Sequence, residues 1–136
     1  MNFGKYAILQ PVTHNFEKEP DWNWIIKPVT TNEELALSQF LSTERVMVMS
    51  DGSRIGRPAT NIDVAVREIA LTFGGTNIPG EDGKPVIELG ASLDQIEAVL
   101  KKMPHPMVLE IWDAIAEAIP GWGPQKVKKV VDPSKK

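Results

Sequence analysis

The run TNIDVAVREIALTFGG, residues 60–75, constrains the fold more than any other part of the chain. Ile62, Val66, Ile69, Ala70 and Phe73 recur at spacings of three and four, which puts them on one face of an α-helix, and Ala65 widens the stripe. Thr60 is suited to cap the helix start, Asp63 favours its positive end, and Gly74 is placed to end it in a left-handed conformation. Asp63, Arg67 and Glu68 fall off the stripe and are expected in water. A helix with one apolar face needs neighbours to cover it, so the other elements are expected to pack around this one.

A chain of 136 residues suits one domain that buries about two-thirds of its surface on folding. There is no cysteine, which rules out disulfides, thiol nucleophiles and thiolate metal sites and fits a cytoplasmic setting. No run of about 18 apolar residues occurs, and the start MNFGKYAILQPVTH lacks a basic segment followed by an apolar one. Neither a signal peptide nor a membrane span is therefore expected. The net charge of −3 divides unevenly: residues 121–136 carry five lysines against Asp132, a local +4 that leaves the remainder at −7. An acidic body disfavours nucleic acid, whose binding depends on cations that displace counterions from phosphates.

In chain order, residues 1–21 read as a strand or extended N-terminal arm with a loose connection, containing Pro11, Pro20 and the charged stretch 17–21. DWNWIIKP alternates Trp22, Trp24 and Ile26 with Asn23, Ile25 and Lys27, a strand pattern. A helix is expected over residues 32–42, opened by a Thr31/Glu34 capping box and carrying Leu35, Phe40 and Leu41 with Ala36 and Leu37 beside them. The run 46–49, an Asp-Gly pair and a second run around Arg54 and Ile55 predict a hairpin, which with the Trp22 strand would make three strands.

Residues 74–91 hold five glycines and two prolines and read as the longest loop, either a connection or a binding loop. Gly74 and Gly75 do not mark a phosphate loop, because they follow a helix and no Lys-Ser/Thr pair opens the next one. Ser92 and Gln95 predict a capping box for a third helix bearing Ile96, Val99, Leu100 and Met103. Pro106 then sits in the first turn of a fourth helix, whose stripe reads Val108, Leu109, Trp112, Ile115 and Ile119. The two are expected to form a tight pair packed on each other and on the central helix. The resulting class is α+β: one mainly helical domain of about four helices, residues 22–123, with a small N-terminal antiparallel sheet or hairpin and a basic tail, residues 124–136.

The residues identify no catalytic, cofactor-binding or metal-binding set. His14 has no second ligand at helical spacing, and His105 reads as a cap or surface residue. Glu110, Asp113 and Glu117 form a row on the fourth helix that reads as its solvated face. Trp112 belongs to the core stripe, whereas Trp122, in PGWGP, either folds back as a plug or projects as an anchor. Candidate partner-binding residues are Ile78, Val86 and Ile87 in the long loop, Trp122, and Lys126, Lys128 and Lys129 in the tail.

The phrases DWNWIIKPVTTNEELALSQFLS and EIALTFGGTNIP, followed by a helical C-terminal half and the PGWGP close, resemble tail assembly chaperones of long-tailed bacteriophages and prophages over residues 22–123. The resemblance implies a non-enzymatic protein of the bacterial host cytoplasm. It would bind the tape measure protein, keep it soluble and help recruit tail tube subunits. Protein partners are thus expected, with no nucleic acid, membrane or cofactor, and a homo-oligomer is compatible. Two other readings stand beside it: a structural virion component, such as a head-tail joining or tail-completion protein, and a small enzyme using histidine and carboxylates. The enzyme requires His14 or His105 to lie in a cleft beside a carboxylate.

Overall fold

The computed structural model describes residues 10–42, 45–48, 50–51, 54–57 and 61–124. The elements are β1 (Val12–Asn15), β2 (Asn23–Ile26), α1 (Thr31–Ser42), β3 (Arg45–Val48), β4 (Arg54–Arg57), α2 (Asn61–Leu71), β5 (Phe73–Thr76), α3 (Leu93–Leu100) and α4 (His105–Ala118). The chain is α+β, with four helices and a small antiparallel sheet among the described residues. No helix among those residues is long and apolar enough to cross a membrane.

The central helix is where its spacing places it. Ala65, Val66, Ile69, Ala70 and the following Phe73 are buried, and α1, α3 and α4 all pack on α2. Ile62 is the exception at 41 % exposed, and the expected Thr60 cap lies outside the described residues. Glu68, expected in water, is instead buried. The third and fourth helices lean on α2 more than on one another.

Gly74 does not cap the helix. The turn ends at Thr72, whose hydroxyl donates to the Glu68 carbonyl at 2.8 Å, and the chain passes straight into β5. The carbonyl of Thr72 accepts from the Lys27 amide at 2.8 Å, so the helix end is bonded into the sheet. Gly74 is the extra residue of a bulge, because Ile25 pairs with Gly75 while Ile26 pairs with Phe73. A Cβ on Gly74 would lie 2.9 Å from the Ile25 side chain and 3.0 Å from its carbonyl oxygen, so the glycine permits close strand approach.

The sheet consequently has a different composition from the expected one. Its order is β1-β2-β5, and the β3-β4 hairpin stands as a separate two-stranded sheet. Residues 12–15 of the N-terminal arm form its edge strand β1, paired in register Val12 to Ile26 through Asn15 to Asn23. The apolar run at 6–9 lies outside the described residues, as does Gly52 of the Asp-Gly turn. Trp24 and Ile26 are fully buried, as the alternation in β2 requires.

Two caps show how local the sequence signals are. The Ser92/Gln95 box forms as expected, with Gln95 N donating to Ser92 Oγ at 3.2 Å and Ser92 N donating to Gln95 Oε1 at 2.8 Å. At α1 only half of such a box is seen, one residue upstream of the expected pair: Glu33 accepts from both the Thr30 amide, at 3.1 Å, and the Thr30 hydroxyl. Along α1, Leu35 and Leu41 point outward, whereas Leu37 is buried and Phe40 lies beneath the Arg67 guanidinium at 4.7 Å.

Candidate functional site

Residues 77–91 are neither a bare linker nor an open loop. Asn77 accepts from the Asn23 amide and donates to the Asp21 carbonyl, both at 2.7 Å, which fixes the loop start to the sheet. Val86 N donates to the Ile78 carbonyl at 2.7 Å and Gly80 N to that of Lys84 at 2.6 Å, closing the loop on itself. Ile78 and Ile87 are buried in the core by this closure, and of the three apolar candidates there only Val86 is partly open. Beside it Leu89 is 79 % exposed, the most outward large apolar side chain described.

Trp122 is the plug rather than the anchor. It is 4 % exposed, and its indole N–H donates to Glu34 Oε1 of α1 at 2.7 Å. Gly123 follows at φ +88°, against Ala116 of α4, and its amide donates to Glu68 Oε1 at 2.7 Å. The same oxygen accepts from the Trp112 indole N–H at 3.0 Å. Glu68 is therefore a buried carboxylate joining α2, α4 and the returning chain. Burial pushes its carboxyl above the usual range; the Gly123 and Trp112 donors hold part of the rise back, and Glu34 adds to it. Lys126, Lys128 and Lys129 lie outside the described residues.

The opposite end of α4 is open. The connection from β1 to β2 turns over it, with Phe16 N donating to the Trp22 carbonyl at 3.1 Å and Trp22 N to that of Glu19 at 2.9 Å. Between this turn and the first half of α4 runs a groove of about 590 Å³. Its apolar lining comes from Phe16, Trp22, Pro104, Pro106, Met107 and Leu109. Leu109, expected in the core stripe, is 38 % exposed here, and Ile111 takes its place in the interior. Charges rim the groove: Glu17, Glu19, Glu110 and Asp113, against Lys18. Among the described residues none of Glu17, Glu19 and Asp113 is paired with a cation.

His14 is not isolated. Its Nε2 lies 2.5 Å from Glu110 Oε2, and its ring meets Phe16 edge-on at 5.4 Å. Glu110 Oε2 also accepts from the Glu17 amide at 3.3 Å, so this carboxylate ties β1 and the overlying turn to α4. Glu110 thus departs from the solvated row, while Asp113 and Glu117 are exposed as expected. No group of three His, Asp or Glu among the described residues is placed to hold a metal ion.

Sequence reasoning missed the groove because its residues come from two segments about 90 positions apart, each unremarkable alone. Two signals were present. Leu109 follows the core position Val108 directly, which puts it some 100° round the helix, and the acidic stretch 17–21 carries Trp22 at its end. Compared with known proteins, the chain matches no family model, no curated protein and no solved structure.

Proposed function

We propose that the protein is a non-enzymatic binding protein acting in phage tail assembly, where it holds the tape measure protein by reversible contact and helps bring tail tube subunits to it. The observation that carries the binding role is the groove beside α4, which leaves Trp22, Met107 and Leu109 lining a solvent-open channel. Its volume falls within the several hundred cubic ångströms common for ligand-accepting clefts. A groove of apolar floor and polar rim suits an extended or helical protein segment. The assembly setting comes from the sequence resemblance over residues 22–123. Host cytoplasm is the matching location, and a homo-oligomer remains compatible with it.

Co-expression tests the role. A tape measure protein that is insoluble alone should appear in the soluble fraction with this chain and co-purify with it. A tape measure that stays insoluble, or the protein found instead in purified virions, would favour a structural virion component such as a head-tail joining protein.

The His14–Glu110 pair gives the enzyme reading one specific observation, since a histidine oriented by a carboxylate can act as a general base. Its test is turnover of activated esters that falls more than tenfold in Glu110→Gln with an altered pH profile. Equal background rates in both proteins would remove it. The structural alternative, a staple between β1 and α4, explains the same contact without a substrate.

A further inference from the structure

Resting on the protein-binding reading, the geometry points to one occupant for the α4 groove: a short segment of another protein in which an aromatic or long aliphatic side chain is bracketed by lysines or arginines. The floor argues for the apolar anchor. Trp22, Met107 and Leu109 line a groove whose volume of about 590 Å³ has room for a large side chain, and methionine beside aromatic surface adapts to anchors of different shape. The rim argues for the flanking cations. Four carboxylates face one ammonium around the opening, and three of the four have no cationic partner among the described residues.

Position separates their contributions. Glu110 is occupied by His14 and the Glu17 amide, so it shapes the wall. Glu17 and Glu19, on the turn, and Asp113, on α4, lie on the two sides of the channel. A cation on each side of the anchor would thus meet a carboxylate, whereas an acidic flank would meet like charge on both. Such complementarity governs which segment is accepted and how fast it arrives more than how tightly it is held. The contact should weaken with salt, because rim charges in water are screened over about 8 Å at physiological ionic strength.

The test uses the full chain and fluorescein-labelled peptides KKFLKK, EEFLEE and KKSSKK, with binding read by anisotropy and the contact mapped by methyl and indole NMR signals. KKFLKK should bind about tenfold more tightly than either control and shift the signals of Trp22, Met107 and Leu109. Charge reversal in Glu17→Lys/Asp113→Lys should weaken KKFLKK about tenfold. Both positions are exposed, so an unchanged melting temperature would show that the fold survives. Leu109→Ser should weaken KKFLKK while preserving its preference over EEFLEE.

Equal binding of EEFLEE, or undiminished binding by the charge-reversed variant, overturns the assignment. So does equal binding of KKSSKK, which would mean that charge alone attracts. Groove signals that move with protein concentration in the absence of peptide would make a second copy the occupant. Binding that appears only after Lys126, Lys128, Lys129, Lys135 and Lys136 are changed to Gln would make it the chain's own basic segment. Either result overturns the assignment to another protein. The two readings fail separately: peptide bound while the tape measure stays insoluble removes only the assembly role. Solubilisation undiminished by Glu17→Lys/Asp113→Lys removes only the groove assignment.

Discussion

The two ends of α4 present the same kind of surface and are treated in opposite ways. At the C-terminal end the chain returns through Trp122 and Gly123, and the donors it brings are met by Glu34 and Glu68. Near the N-terminal end the turn after β1 approaches the helix but leaves a channel rimmed by Glu17, Glu19 and Asp113, which have no cationic partner among the described residues. One end is completed by the protein's own residues; the other has the same apolar surface with no equivalent seal. Closure thus follows the availability of satisfied polar partners as well as apolar area.

Five substitutions would break or sharpen that contrast. Trp122→Ala should have the largest effect, a loss of about 4 kcal/mol and roughly 12 °C in the thermal midpoint, because it removes the buried plug and its bond to Glu34. If the melting curve hardly moves, the closed end is not closed. Gly123→Ala comes next, at about 3 kcal/mol by chemical denaturation. Its Cβ would lie 2.4 Å from that of Ala116 at a φ of +88°, and backbone atoms stand behind it. Gly121→Ala shares the positive φ but has open space around it, so it should cost only about 1 kcal/mol and isolates the steric part.

Glu68→Gln keeps a carbonyl for the Trp112 and Gly123 donors and should cost only about 1 kcal/mol at acidic pH. The pH dependence carries the sharper information. A carboxyl whose pKa is raised by folding binds its proton more tightly in the native state. Its contribution is therefore fully present below the unfolded value and is lost as pH rises through the folded one. Relative to the Gln variant, the native protein should lose stability over that interval as pH increases. A difference that stays flat from pH 4 to 8 would mean that Glu68 titrates normally.

Smallest are the changes at the open end. Leu109→Ser should alter stability by less than about 1 kcal/mol, since the side chain is already partly in water. It should nonetheless weaken any occupant of the groove. A destabilisation as large as that of Trp122→Ala would show the groove to be core, and the contrast between the ends would vanish.

The helices were legible because each carries its own period. Residues 60–73 and 92–103 announce their apolar faces, and the Ser92/Gln95 box needs nothing beyond four adjacent residues. Strand partners were not legible. Gly74 read as a helix stop, and only the approach of Ile25 reveals why the chain needs glycine there. Glu68 looked like a solvent residue because its partners, Trp112 and Gly123, lie 44 and 55 positions away. The pairing of His14 with Glu110 and the groove were hidden for the same reason, since no local pattern encodes contacts across the whole chain.

Because no residue is left over between Leu71 and Phe73 except Thr72, and Thr72 is itself bonded to both helix and sheet, the junction has no hinge. Any rotation of the central helix would have to be taken up as slippage among the strands. The middle strand, β2, begins at the residue after Trp22 and is held at that point by Asn77. Trp22, which lines the channel, thus sits between the two backbone groups that Asn77 grips, so the channel wall and the start of the 77–91 loop share one fastening.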